Sequence, residues 1–246
     1  MAEPVVLVHG FSQTRRSWDP LRHHLPARWR PVVVELPGHG ASGLARGTFV
    51  ETARAIGETG GPAAYAGYSM GGRLCLRLAL DRPDLVRALV LVSASPGLAD
   101  GSERRRRRRS DAWLAKDIEE GGTEGFLERW LAQPLFEATA VPPEELAARR
   151  ANPPEDLAAA LRLLGTGSQE PLWDRLAGLG VPTLLLVGER DARFRAIAER
   201  MAQLCPASST AVVAGAGHAV PLDAPGPCAH LLDEFLARHL GGPGSA

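Results

Sequence analysis

Short, largely apolar runs punctuate the chain at Val5–Val8, Val32–Leu36, Ala63–Ala66, Ala88–Val92, Thr183–Val187 and Thr210–Val213. They are β-branched or Leu-rich and show little polar alternation, as strands covered on both faces do. Between most of them lie stretches of helical period, among them Gly72–Leu80 and Arg195–Leu204. Buried strands alternating with helices predict a mostly parallel sheet flanked by helices, an α/β fold. One interval breaks the alternation. From Val92 to Thr183 there is no strand signal, and the segment is rich in Leu, Ala, Trp, Arg and Glu, with Pro142-Pro143 and Pro153-Pro154 as breakers. It predicts three or four helices inserted at the carboxyl edge of the sheet, where open α/β sheets bind ligands, so a lid over a site is expected. The expected division is a core of residues 1–96 and 179–246 and a helical lid of residues 97–178. The tail from Gly241 to Ala246 is expected to fray.

Composition narrows the partners. With 246 residues, 45% hydrophobic and 23% charged, the chain is ordinary globular material, which excludes wholesale disorder and coiled-coil architecture. Lys plus Arg number 28 against 28 Asp plus Glu, and Lys116 is the only lysine. A neutral chain offers no general electrostatic reason to bind nucleic acid or a membrane surface. Three scattered cysteines (Cys75, Cys205 and Cys228) form no C-x-x-C pair, so neither a disulfide framework nor a zinc site is expected. The N-terminus has no basic n-region, and no apolar run reaches the ~20 residues of a membrane helix. A cytoplasmic setting is expected.

The sharpest chemical signal is Gly67-Tyr68-Ser69-Met70-Gly71, which follows one strand and opens a helix. G-x-S-x-G in that context exposes a serine hydroxyl on a tight turn. Serine is a weak nucleophile and base until a histidine takes its proton and a carboxylate orients that histidine. Asp191, after the strand ending at Val187, and His218, after the strand ending at Val213, follow in the order Ser, acid, His. Read singly, these are an incidental turn serine, a turn aspartate and a lone histidine. Their common position on strand ends argues for a triad. An oxyanion hole needs two backbone N–H groups; Met70 and, after the first strand, Phe11 are the candidates. No metal or organic cofactor is expected.

With these motifs in hand, the chain resembles the α/β-hydrolase superfamily. His9-Gly10-Phe11, Leu36-Pro37-Gly38-His39-Gly40-Ala41-Ser42 and Gly67–Arg73 are shared with many members. Four further stretches resemble one family, the 2-succinyl-6-hydroxy-2,4-cyclohexadiene-1-carboxylate synthases of menaquinone biosynthesis (MenH). They are Ser95-Pro96-Gly97-Leu98, the Arg-rich run ending in Asp111, Trp130–Phe136, and Gly165-Thr166-Gly167-Ser168-Gln169 with Leu172-Trp173. The resemblance implies an α/β-hydrolase fold and a lyase that removes a proton beside a succinyl ketone and expels pyruvate from an enolpyruvyl group. Ser69 would then serve as a base, and the oxyanion hole would hold an enolate oxygen. A serine esterase or thioesterase would use the same triad for acyl transfer. A substrate with three carboxylates calls for several forked cations, and the resemblance carries substrate contact onto Tyr68, Arg73, Arg107, Trp130 and Arg150. Arg73 lies one turn after Ser69 and should be either an internal ion pair or a substrate clamp. Six consecutive arginines, Arg104–Arg109, point all round a helix, so at most two can face a pocket. The segment from Leu98 to Glu170 holds 11 cations and 14 acids, which disfavours a polyanion patch. The chain departs from the family at Pro221 and Asp223, where a second histidine and a glutamate are frequent, and at Arg193, where lysine is frequent. The strand signals also begin at what is usually the third strand, so a leading antiparallel hairpin is expected to be absent or reduced.

Overall fold

The computed structural model describes residues 2–241; most of the tail expected to fray, residues 242–246, lies outside that range. Among the described residues six strands form one sheet: β1 (Glu3–Val8), β2 (Trp29–Val34), β3 (Ala63–Tyr68), β4 (Val86–Val92), β5 (Thr183–Gly188) and β6 (Ser208–Val213). Their order is β2-β1-β3-β4-β5-β6, and every neighbouring pair is parallel. The helices are α1 (Asp19–Arg22), α2 (Phe49–Gly60), α3 (Met70–Asp81), α4 (Gly101–Leu131), α5 (Pro143–Arg150), α6 (Pro154–Leu164), α7 (Ala192–Leu204), α8 (Val220–Asp223) and α9 (Pro225–Leu240), with short 3₁₀ turns between some of them.

Each expected apolar run falls on a strand, and period-2 geometry sends its residues to two cores. Val6 and Val8 of β1, Tyr65 of β3 and Leu89 and Leu91 of β4 pack with Phe49, Ile56, Leu74 and Met201 from α2, α3 and α7. Val5 and Leu7, Ala64 and Ala66, and Val90 and Val92 pack on the other face with Leu21, Leu232 and Leu236 from α1 and α9. Buried apolar side chains contribute roughly 1.5–3 kcal/mol each, so covering both faces is what stabilises these short strands. The edge strands were less legible. β2 begins at Trp29 rather than Val32, and its Pro31 is tolerated because a terminal strand leaves one row of N–H groups unpaired. β6 begins at Ser208, and only Val213 of its six residues is buried.

Between β4 and β5 the described residues contain helices and loops only. Their own small core joins Ala115, Ile118, Phe126 and Leu127 of α4 to Leu157, Ala158 and Leu161 of α6. Asp100 caps α4 by accepting from the Glu103 N–H at 2.7 Å. The 31-residue α4 bends at Gly122, whose φ of 77° and ψ of 165° interrupt the helix. Phe11, from the loop after β1, packs against both this insertion and the main core.

Strand order reverses between β1 and β3, since β1 leads outward to β2 while β3 continues toward β6. A parallel sheet puts all its carboxyl ends on one edge, and a crevice opens where the order reverses. The loops carrying Phe11 and Ser69 flank that crevice.

Candidate active site

β3 ends at Tyr68 and α3 begins at Met70, so Ser69 alone makes the turn. Its φ of 50° and ψ of −109° are strained for a non-glycine residue. The flanking glycines make the turn possible. A Cβ on Gly67 would stand 2.5 Å from the Gly71 carbonyl oxygen, and one on Gly71 would stand 2.2 Å from that of Val8. The result is a half-exposed serine at the first turn of a helix, whose leading N–H groups have no intrahelical acceptor.

His218 stands beside it, with Nε2 3.3 Å from Ser69 Oγ and Nδ1 2.7 Å from Asp191 Oδ2. The carboxylate assigns the proton to Nδ1 and leaves Nε2 to accept from the serine. Asp191 is buried, and its other oxygen accepts from the Phe194 N–H at 3.1 Å, capping α7. Both of its oxygens are therefore held. The imidazole is packed between Phe194 and Tyr68, with ring centroids 4.5 and 5.4 Å away. Asp223, where a glutamate is frequent in the family, accepts from the Gly217 N–H at 2.9 Å and braces the turn that carries His218. Burial raises its carboxyl above the ordinary range, against the opposing pull of Thr139 and the Gly217 N–H. Pro221 lies buried in the first turn of α8.

The loop after β1 is tied down by two buried histidines. The Leu36 N–H reaches His9 Nε2 and the Ser12 N–H reaches His39 Nε2, both at 3.1 Å. Burial first, and then the proximity of His9, push His39 down to about 3, so it is a neutral acceptor. Gly10 N–H is taken by Gln13 Oε1 at 2.9 Å. Phe11 and Met70 both line the same cavity as Ser69.

That cavity has a volume of about 940 Å³ and contains Tyr68, Ser69, Arg73, Arg107, Trp130 and His218 among its walls. Trp130 stacks edgewise on Phe11 at 5.5 Å. Arg73 is buried, and burial first, then Arg107, push it down to about 9, against the pull of Asp111; it remains charged at neutral pH. Its terminal nitrogens donate to Gln169 Oε1 at 2.7 Å and to the Leu164 carbonyl at 2.8 Å. Neither acceptor is charged, and no carboxylate lies within ion-pair distance among the described residues. The expected alternative of an internal ion pair is therefore not what the geometry contains. Arg107 is held by Asp111 at 2.7 Å. Of the arginine run it alone lines the cavity. Arg104 and Arg108 bond backbone carbonyls of Leu98 and Gly167, while Arg105, Arg106 and Arg109 are exposed.

One expectation needs correction. Arg150 lines no part of the cavity; it is exposed and lies 3.3 Å from Glu124. Its neighbour Arg149 is buried in the cavity wall instead, with Nε on Glu145 at 2.7 Å and one terminal nitrogen unpartnered. Adjacent helical residues point about 100° apart, so an error of one position turns a wall into an outer surface. A signal existed: Arg149 has Glu145 four residues earlier, whereas Arg150 has Leu146. Glu145 is itself buried, bonded to Ser17 and, at 3.4 Å, to Thr14. Among the described residues no cluster of His, Cys, Asp and Glu suits a metal ion.

Comparison with known proteins agrees with this architecture. The sequence profile described as the alpha/beta hydrolase family matches residues 5–231. A Bacillus subtilis (strain 168) protein provisionally named 2-succinyl-6-hydroxy-2,4-cyclohexadiene-1-carboxylate synthase is 35% identical over 96% of this chain and 90% of its own length. The protein of that name from Salmonella paratyphi C (strain RKS4594) is 34% identical over 88% of this chain and 87% of its own. Among solved structures, MenH from S. aureus superposes with a TM-score of 0.90 at 29% identity, covering 96% of this chain and 94% of that one. A malate-bound thermophilic esterase from Thermogutta terrifontis superposes with a TM-score of 0.78 at 28% identity, over 97% and 91%.

Proposed function

Because this chain belongs to the alpha/beta hydrolase family and is akin to its synthases of 2-succinyl-6-hydroxy-2,4-cyclohexadiene-1-carboxylate, we propose that it acts in menaquinone synthesis as a lyase that eliminates pyruvate. The substrate would be 2-succinyl-5-enolpyruvyl-6-hydroxy-3-cyclohexene-1-carboxylate. His218 draws the Ser69 proton, and the serine oxygen removes the ring proton beside the succinyl ketone. The electron pair passes through the enolate and the ring double bond to break the carbon–oxygen bond, leaving a diene, and the departing enolate of pyruvate takes the proton back from the His218 imidazolium. Asp191 keeps the proton on His218 Nδ1 and favours the imidazolium that forms. The Phe11 and Met70 N–H groups stabilise the enolate oxygen. Tyr68 and Trp130 shape the walls, and Arg73, Arg107 and Arg149 take the carboxylates.

The observation that carries this assignment is Arg73. A buried guanidinium bonded only to neutral acceptors is costly in the empty cavity and is compensated when an anion arrives. An esterase for neutral substrates has no use for it. The competing esterase assignment is favoured by the strained Ser69 turn, which suits acyl transfer equally well, and by the esterase among the similar structures.

One experiment separates them. The enolpyruvyl substrate is supplied and pyruvate release is followed together with diene absorbance. Both should rise in step. Background pyruvate release, with an acyl-enzyme burst on p-nitrophenyl acetate, would assign the chain to the esterases instead.

A further inference from the structure

The three arginines assigned to substrate line the cavity, two of them buried, yet its 940 Å³ is near the upper end of the ~300–1,000 Å³ usual for small-molecule sites. The rest of the lining includes one face of α7. Arg193, Ile197 and Arg200 recur there at i, i+4 and i+7, and all three line the cavity with Trp173. The two arginines are exposed and sit about 10.5 Å apart along the helix axis. Neither has a carboxylate within ion-pair distance among the described residues, although many other arginines of this chain do.

Arg200 is held in place without an anion. Its guanidinium carbon lies 4.1 Å from the centroid of the Trp173 ring, and Trp173 Nε1 donates to the Gly97 carbonyl at 2.8 Å, fixing the ring on the loop after β4. A guanidinium stacked on an indole keeps its in-plane N–H donors free, and those donors match a carboxylate. The acids of the lining are mostly engaged elsewhere. Asp100 caps α4, Asp111 holds Arg107 and Asp117 holds Arg129; Glu103 alone among the described lining acids has no such partner.

We propose that Arg193 and Arg200, with Trp173, form an outer carboxylate subsite at the cavity mouth, which receives an anionic substrate before its carboxylates reach Arg73, Arg107 and Arg149. The subsite rests on the polycarboxylate substrate proposed above and extends it. Exposed forks raise the local concentration of a polyanion and align its approach, while Arg73, Arg107 and Arg149 hold it for reaction.

The test uses the full chain with Arg193→Gln, Arg200→Gln and, as a charge-matched control on the outer face of α4, Arg105→Gln. Two quantities are measured: kcat/KM for pyruvate release from the enolpyruvyl substrate, and calorimetric affinity for benzene-1,2,4-tricarboxylate. Arg193→Gln and Arg200→Gln should each lower both by about 5- to 10-fold at low salt, with the kinetic loss falling on KM. That loss should shrink to about twofold near 0.5 M NaCl, where screening is short-ranged. Arg105→Gln should change neither. Equal losses in all three variants, losses that ignore salt, or no loss at either α7 arginine would overturn the subsite. If wild-type protein releases no pyruvate but Arg200→Gln still weakens tricarboxylate binding, the subsite stands and the lyase assignment falls. Normal pyruvate release with neither quantity altered by the α7 variants has the opposite meaning.

Discussion

At the scale of single residues, chemistry is set by which groups the fold leaves unpaired. Among the described residues Ser69 has one neighbour able to take its proton, His218, so Ser69→Ala should lower kcat/KM for pyruvate release by about a thousandfold or more, measured in the coupled pyruvate assay. The arginine pair gives a sharper contrast. Arg149→Gln should raise KM about 10- to 100-fold, consistent with losing a charge-assisted bond to a carboxylate. Arg150→Gln should leave KM within about twofold, since an exposed pair with Glu124 is worth little. Ser69, Asp191 and His218 could be found in the sequence because each follows a recognisable strand by a few residues. Arg149 could not be told from Arg150 in that way. Two identical neighbours differ only in helical phase, which depends on where α5 begins and on what Glu145 meets across the core.

At the scale of elements, the site is as firm as the loops that close on the strand ends. The β1 loop depends on His39 remaining a neutral acceptor for the Ser12 N–H. Its folded value near 3 lies below the ordinary 6.5, so the unfolded chain binds the proton first. The stability this contributes is complete above 6.5 and declines as pH falls from 6.5 toward 3. Urea midpoints should therefore drop between pH 7.5 and pH 5, and a flat profile would contradict this role. The Ser69 turn depends instead on close backbone approach. Gly71→Ala drives a Cβ into the Val8 carbonyl and should cost about 2–4 kcal/mol in denaturant unfolding. Glycine at these places is legible as a turn signal. The contact that demands Gly71 joins β1 to α3 across the sheet and is invisible locally.

At the scale of the molecule, polar ties at the margin of one core add to its apolar packing. Asp233 on α9 accepts from Trp29 Nε1 at 2.6 Å and from Arg28 Nε at 2.8 Å, binding the last helix to the edge strand β2. Asp233→Ala strands a buried indole N–H, so it should cost about 1–3 kcal/mol and lower Tm while leaving kcat/KM unchanged. Charge is also a property of the whole. Cations and acids are equal in number, yet Arg73, Arg107, Arg149, Arg193 and Arg200 converge on one cavity, where local pairing matters more than the sum. By itself the sequence determined the sheet, its two covering layers, the helical insertion and the order of serine, acid and histidine, because period, turn chemistry and strand-end position are local properties. The tertiary structure decided that Arg149 rather than Arg150 lines the wall, that the rest of the Arg104–Arg109 run turns from the cavity, and that Arg73 lacks a carboxylate. Those outcomes depend on helical phase and on partners brought together from distant parts of the chain, of which the local pattern carried only the Glu145–Arg149 spacing.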